Sequence, residues 1–329
     1  MANESGILVL GEVADGALAG ITGEMLGAAR RIAGKLGGSV SLALAGGGVA
    51  GLAQEAIAQG ADRVYVADSP ELQEYVPDRW LPLLQQILQQ ANPAVILMGQ
   101  TSNGRDLAPH LAFRLGTAVA MDTIELDAED GKLLMTRPCF GGNAREVVTI
   151  GTMPQIATVR AKSQDPIVPD ASRQGEITTV SPSVDAALVK EKVVERTKAA
   201  AEGLRLEDAD IIVSGGRGLG GPEGFQLVEQ LAGVLGAAVG ASRAACDLGW
   251  YPPSQQVGLT GKTVSPDLYL AIAISGASQH LAGMAGSKNV VAINKDPDSN
   301  MVKGARFAVI GDYKQVVPAL IEAVKKLKA

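Results

Sequence analysis

Residues 211–232, "IIVSGGRGLGGPEGFQLVEQLA", read as a strand, a glycine turn and a helix. That succession opens a βαβ unit, so it predicts a parallel sheet with helices packed against it. Gly216, Gly218 and Gly221 satisfy G-x-G-x-x-G, a spacing that lets backbone approach the pyrophosphate of a dinucleotide. Two features resist a nicotinamide reading. Arg217 sits inside the turn, and no acid closes a second strand at the usual distance of about 20 residues.

The next strand ends present other chemistry. "AAVGASRAACD" (237–247) delivers Ser242 and Arg243. Arginines in two successive strand-end loops suit a pyrophosphate or an electron-rich ring, because a guanidinium stays charged and forks to oxygens. Val257 to Gly261 form a compact loop carrying the Thr260 hydroxyl. The apolar strand Leu268 to Ile274 then empties into Ser275, Gly276, Ala277, Ser278, Gln279 and His280, where polar groups are set among small residues. Asn294 and Asp296 close a further strand, and Asp312 closes the last. Five polar strand ends in one small domain predict one extended ligand lying across a sheet.

Outward from this core the same alternation fills the N-terminal part: "GILVLGE" (6–12), "SVSLALAG" (39–46), "RVYVAD" (63–68) and "PAVILMG" (93–99) read as strands separated by helices, one of them at about residues 78 to 91. From Thr117 the texture changes to short segments, "AVAMDTIELD", "KLLMTRPCF", "EVVTIG" and "QIATVR", which predict an antiparallel extension closing the first domain. Residues 164–185 carry Pro166, Pro169 and Pro182 and read as irregular. A charged stretch, "VKEKVVERTKAAAEG" (189–203), precedes the second alternating series. The expected class is α/β, with two domains, 1–196 and 197–329, each a mostly parallel sheet flanked by helices. The irregular, charged connection also predicts that the two domains reorient relative to each other.

Two polar strand ends in the first domain compete with those of the second. Gly46, Gly47 and Gly48 lie between a strand and a helix, where amides could cradle a phosphate or simply make a tight turn. Thr101, Asn103, Arg105 and Asp106 follow another strand, and His110 sits in the helix beyond them with a structural part.

Composition narrows the function classes. The 329 residues carry a net charge of -6 and show no basic stripe interleaved with aromatics, which argues against nucleic acid. Aromatics are only 3% while glycine reaches 40 residues, a balance that suits a core of small aliphatic side chains with close backbone contacts. No apolar run approaches the roughly 18 residues of a membrane span, and the N-terminus lacks the pattern of a signal peptide. Cys139 and Cys246 stand apart with no CxxC pair. The expectation is a cytoplasmic, reduced, metal-free protein.

In order and spacing, "VSGGRGLG", "GASRAACD", "QVGLTGK", "LYLAIAISGASQHLAGM", "VAINKDP" and "VIGDYKQVVPAL" resemble the α subunit of electron-transfer flavoproteins over residues 205–325. Over residues 1–195 the likeness rests on organisation and on short pieces such as "TRPCFGGNA". The resemblance implies a Rossmann-like C-terminal domain that binds FAD, an N-terminal domain that contacts a β subunit, and an electron carrier between a flavin dehydrogenase, such as an acyl-CoA dehydrogenase, and another redox partner. It places Arg217 and Ser242 near the phosphates and ribityl chain, Arg243 over the isoalloxazine, and Val257, Gly258, Leu259 and Thr260 along the ring. It places Ser275 to His280 at the ribityl chain and pyrimidine edge, with His280 near O2, and Asn294, Asp312 and Tyr313 at the adenosine end. Arg243, Thr260 and His280 would tune the flavin potential.

Leu259 stands where many members have glutamine, and leucine in "VGLTG" is similar to members that bifurcate electrons from NADH. Ala273 replaces a usual glycine and Cys246 a common valine, the latter only packing. A cation about 5 Å from the reduced ring at an effective dielectric near 20 would attract it by roughly 3 kcal/mol, which corresponds to about 140 mV for one electron. Two other readings stand beside this one: an NAD-dependent dehydrogenase, and a non-redox nucleotide-binding sensor sharing only the fold.

Overall fold

The computed structural model describes residues 6–142, 144–184, 186–195 and 204–328. The chain divides into two compact units, Met1–Cys139 with Ala144–Arg196, and Phe140–Asn143 with Thr197–Ala329. The junction placed near residue 197 on composition falls on residues 196–203, outside the described residues.

In the first unit the strands are β1 (Ile7–Leu10), a small hairpin of β2 (Val13–Ala14) and β3 (Ala17–Leu18), β4 (Val40–Gly46), β5 (Arg63–Asp68), β6 (Val95–Gly99), β7 (Val119–Thr123), β8 (Glu125–Glu129), β9 (Lys132–Cys139), β10 (Ala144–Val148), β11 (Gln155–Val159) and β12 (Glu176–Thr179). The helices are α1 (Gly20–Leu36), α2 (Ala53–Ala58), α3 (Pro77–Ala91) and α4 (Ser102–Leu115). Seven strands form one sheet in the order β12-β5-β4-β1-β6-β11-β7, and every pairing in it is parallel.

Alternate residues of these strands enter two separate cores. Ile7, Val9, Leu42, Leu44, Val95 and Leu97 pack with Met25 and Leu26 of α1. Leu8, Leu10, Ala43, Ile96 and Met98 pack with Leu83 and Leu84 of α3 and Leu107 and Leu111 of α4. A sheet buried on both faces requires near-continuous apolar strands, which is why β4 and β6 are buried along their whole length. Helix ends follow local chemistry: Thr101 caps α4 by accepting from the Gly104 amide, and Gly116 ends it at φ 67, a left-handed conformation that suits glycine.

Two expectations for this unit need correction. Of the four segments read as an antiparallel extension, only β8, β9 and β10 pair that way. "AVAMDTIELD" breaks at Ile124, its first half being β7, and "QIATV" is β11; both join the parallel sheet. All five residues of β11 are buried, the signature of an internal strand, whereas β8 alternates between exposed and half-buried positions. The segment read as irregular contributes β12, an edge strand parallel to β5 with Glu176 on Arg63.

The second unit contains β13 (Ile211–Gly215), α5 (Phe225–Leu235), β14 (Ala238–Ser242), α6 (Arg243–Asp247), β15 (Gln256–Val257), β16 (Leu268–Ile272), α7 (Ser278–Met284), β17 (Asn289–Asn294), α8 (Asn300–Gly304), β18 (Phe307–Ile310) and α9 (Tyr313–Lys328). Its sheet order is β15-β14-β13-β16-β17-β18, with all pairs parallel. The first strand lies in the middle and the order reverses between β13 and β16. That reversal leaves a crevice beyond the carboxyl ends of the two strands, the place where open α/β sheets take ligands. Val213, Leu270, Ile272 and Ile293 pack with α5 and α9 on one face, and Ile212, Tyr269, Ala271 and Ala292 with Met284 and Met301 on the other.

Candidate functional site

At the switch point the two strand ends close on each other through backbone. The Gly216 amide donates to the Ile272 carbonyl at 2.9 Å and the Gly218 amide to the Ala273 carbonyl at 3.2 Å. A Cβ on Gly216 would stand 2.3 Å from that second carbonyl, so glycine is required by close approach. Ala273 itself has φ 56, a left-handed conformation that strains a side chain by about 1–2 kcal/mol. The turn that follows β16 repeats the theme: Gly276 has φ +78, and a Cβ there would lie 2.3 Å from the Met301 amide.

Above these ends lies a cleft of about 650 Å³, within the roughly 300–1,000 Å³ typical of cofactor sites. Of the residues singled out in the sequence, Arg217, Ser242, Arg243, Val257, Gly258, Leu259, Thr260, Ser275, Ala277, Gln279, His280 and Asn294 line it. Gly276 and Ser278 do not line it, but Gly276 makes the bend that carries Ser275 and Ala277 to its wall.

The polar atoms of this wall are unevenly satisfied. Ser242 Oγ and His280 Nδ1 are buried without a hydrogen-bond partner. The Thr260 hydroxyl accepts from Gln256 Nε2 at 3.1 Å and keeps its own proton to donate. Arg217 is exposed and makes no ion pair among the described residues. Arg243 pairs with Asp247 at 3.4 Å and its side chain is 68% exposed. Leu259 is 59% exposed, an apolar side chain standing in a polar wall. Burial pushes the His280 imidazole down to about 4, with the Val257 main chain opposing, so the ring is neutral at pH 7.

The three residues expected at the far end have different parts. Asn294 is committed on both sides, donating to the Ile274 carbonyl at 2.8 Å and accepting from the Asp296 amide at 3.0 Å, so it braces two strand ends. Asp312 pairs with Lys295 at 3.0 Å and lies outside the cleft lining. Tyr313 is buried and its hydroxyl donates to the Leu219 carbonyl at 2.7 Å; its ring walls a small recess of about 110 Å³ together with Gly218, Asn294 and Lys295.

Polar cleft residues that the sequence reading passed over are Asp247, Gln256 and Ser299. Asp296, legible as a polar strand end in "NKDP", lines the cleft as well. Ser299 caps α8 by accepting from Val302, and nothing in its local sequence marked it for a cleft. Cys246 is buried with its thiol pushed up to about 11, which makes it a protonated packing group.

The competing strand ends of the first unit are used up internally. The Gly48 and Ala50 amides donate to the Asp68 carboxylate at 2.7 and 2.9 Å, which leaves no cradle for a phosphate. Thr101 donates to Glu12 at 2.8 Å, and Asp106 accepts from Tyr75 at 2.7 Å. Asn103, Arg105 and His110 are exposed on α4. The helix tolerates His110 at its surface, and no core contact explains it.

Two family models match the chain. Residues 7–185 match the family model "Electron transfer flavoprotein domain", and residues 205–285 match "Electron transfer flavoprotein FAD-binding domain". The chain is 44% identical over 324 residues to the electron transfer flavoprotein subunit alpha of Thermoanaerobacterium thermosaccharolyticum, covering 98% of both chains. It is 45% identical over 323 residues to the protein of the same description from Bacillus subtilis, again covering 98% of both. Protein FixB of Clostridium saccharobutylicum is 38% identical over 329 residues, 98% of each chain.

The cleft fits the dinucleotide that this family binds. It offers orphaned Ser242 Oγ and His280 Nδ1, two arginines along its wall, and strand-end turns at Gly216 and Gly276 packed too closely on backbone to admit a side chain. The end of the second strand is Ser242, where an NAD fold places an acid for the ribose, so the dehydrogenase reading loses its anchor. The chain belongs to the electron transfer flavoprotein α-subunit family, whose C-terminal domain binds FAD and whose name implies a β-subunit partner.

Proposed function

We propose that, together with a β subunit, this chain carries electrons between a flavin dehydrogenase of the acyl-CoA dehydrogenase type and another redox partner. The observation that supports a carrier is the state of the cleft's titratable groups. His280 is neutral and tied to Tyr269, Asp247 is paired with Arg243, and Asp296 accepts the Asp298 amide. The one buried titratable group of the wall, His280, is thereby held as a hydrogen-bonding group, and the two carboxylates are exposed and engaged by neighbours, an arrangement that suits holding a cofactor more than the proton transfer of substrate chemistry.

Bound FAD supplies one- and two-electron redox chemistry. The chain's own residues hold and bias it: Arg217 and Ser242 bind oxygens, Thr260 donates a proton to a hydrogen bond at the ring, and Arg243 stabilises added negative charge. The electrostatic effect of Arg243 is screened by its exposure and by Asp247, which lowers it below the unpaired limit of about 140 mV.

Residues 1–196 form the domain we assign to β-subunit contact and residues 197–329 the flavin domain. Exposed Phe113 and Val147 supply the first with apolar contact groups. Among the described residues no helix is long and apolar enough to cross a membrane, and we place the protein in the cytoplasm. Leu259 supports a second activity, bifurcation of electrons from NADH, because it removes a polar group from the ring's surroundings.

The test is anaerobic reduction of the purified αβ complex, followed through its flavin absorption. Rapid bleaching by a substrate-reduced acyl-CoA dehydrogenase supports the carrier reading. Bleaching by NADH that requires a low-potential acceptor supports bifurcation. Response to neither donor would remove both partner assignments.

A further inference from the structure

A buried polar line runs from the middle of the second sheet to the cleft. Tyr269 on β16 is fully buried, and its hydroxyl lies 3.0 Å from His280 Nε2 with the rings edge to face. Ser214 on β13 is fully buried as well. Ile212 stands opposite Tyr269 in the β13/β16 register, so Ser214, two residues on, projects from the same face. Ser214 Oγ is itself buried without a hydrogen-bond partner. Gly240 leaves the room: a Cβ there would lie 3.1 Å from Ser214 Oγ and 3.0 Å from Val257 Cγ2.

The direction of this bond follows from counting protons. A neutral imidazole carries one N–H, and the two ring nitrogens take opposite parts. Nε2 faces the Tyr269 hydroxyl, while the Val257 main chain favours a proton on the ring. His280 Nε2 is the one hydrogen-bond acceptor the Tyr269 O–H has among the described residues, so Nε2 accepts from Tyr269 and Nδ1 carries the imidazole proton. Nδ1 has no partner of hydrogen-bond geometry, and both His280 and Val257 line the cleft.

We propose that Tyr269 is a positioning residue: by donating to His280 Nε2 it fixes the imidazole as a neutral Nδ1–H donor presented to an acceptor atom of the cleft's occupant. In the other tautomer the same ring would present a lone pair and repel a carbonyl oxygen at that place. Selection against the wrong tautomer is therefore built into the interior of β16, behind the cleft residues that follow its end. The proposal rests on the FAD reading for the identity of the acceptor oxygen; the tautomer itself does not depend on it.

The test uses the full chain, isotope-labelled on histidine nitrogen and assembled with unlabelled β subunit. The chain has two histidines, and His110→Gln removes the signals of the exposed one. Wild-type His280 is expected to show a protonated, pyrrole-type Nδ1 and an unprotonated Nε2. Tyr269→Phe, which keeps the ring and removes the hydroxyl, is expected to populate the Nε2–H tautomer and to weaken FAD binding about fivefold. A protonated Nε2 in the wild-type spectrum would overturn the proposal, whether or not the variant folds. So would a folded Tyr269→Phe complex with an unchanged His280 spectrum and unchanged FAD affinity. A complex without flavin that retains the Nδ1–H tautomer would instead break the FAD reading and leave the tautomer assignment standing.

Discussion

The two units each end a strand in a glycine-rich turn, and the turns have opposite fates. After β4, Gly46 to Gly48 lead into a helix, but Asp68 occupies their free amides and the Gln73 side chain packs where Gly47 would face a ligand. After β13, Gly216 and Gly218 pack onto the Ala273 carbonyl, and Gly218 lines a cleft whose Ser242 and His280 atoms lack partners. Glycine spacing brings backbone close to something in both places. Whether that something is the protein's own carboxylate or a ligand depends on residues about 20 to 60 positions away.

The largest effect expected from this difference is at Gly276. Gly276→Ala forces a Cβ into the Met301 backbone at a positive φ. It should destabilise the second unit by about 3 kcal/mol and lower the flavin content of the purified complex at least tenfold. Gly48→Ala, also at positive φ but with open space around it, should destabilise by about 1 kcal/mol and leave the flavin content unchanged. Chemical denaturation and flavin absorbance measure both.

The units should also respond to pH in opposite senses. His280 has its imidazole held at about 4 against an ordinary 6.5, so the unfolded chain binds the proton first as pH falls. Stability of the second unit is full above pH 6.5 and is lost as pH drops towards 4, by about 3 kcal/mol at most. Burial raises Glu24 of the first unit from 4.5 to about 7, although its carboxylate accepts the Lys162 amide at 2.6 Å. Its contribution is full below pH 4.5 and is lost as pH rises through 7. Hydrogen exchange of the two units between pH 5 and 7 should show them moving apart, with His280→Gln and Glu24→Gln each flattening one trend.

Smaller effects sharpen the contrast. Arg243→Ala should lower the first reduction potential by on the order of 50 mV, about 1 kcal/mol, and change FAD affinity less than twofold. An unchanged potential in redox titration would remove Arg243 from its tuning part. Asp68→Ala frees the Gly48 and Ala50 amides and should reduce stability by about 1 kcal/mol without altering flavin content. Ala273→Gly relieves the left-handed strain at φ 56 and should stabilise by about 0.5 kcal/mol in thermal unfolding.

The sheets were legible because parallel strands buried on two faces write continuous apolar runs, and β13 with its turn and helix does so without ambiguity. β11 was misassigned because five buried residues with a short polar neighbourhood look like a hairpin arm until their partners β6 and β7 are known. β12 escaped notice because this edge strand is largely exposed, has no buried apolar run and follows prolines. Most cleft residues were legible as polar strand ends. Asp247, Gln256 and Ser299 were not, since their place in the wall is set by tertiary packing. The silent Asp68 contact was equally hidden: nothing local to "AGGGVAG" says that a carboxylate from β5 will fill it.

The central claim, that the flavin belongs to the strand ends of the second unit, is tested most directly by hydrogen exchange of the αβ complex with FAD bound and after its removal. The account predicts that FAD protects amides in residues 215–220, 241–244, 257–261 and 274–281 and leaves 46–50 and 99–106 unchanged. Protection centred on the first unit's strand ends, with the second unit's indifferent to FAD, would contradict it.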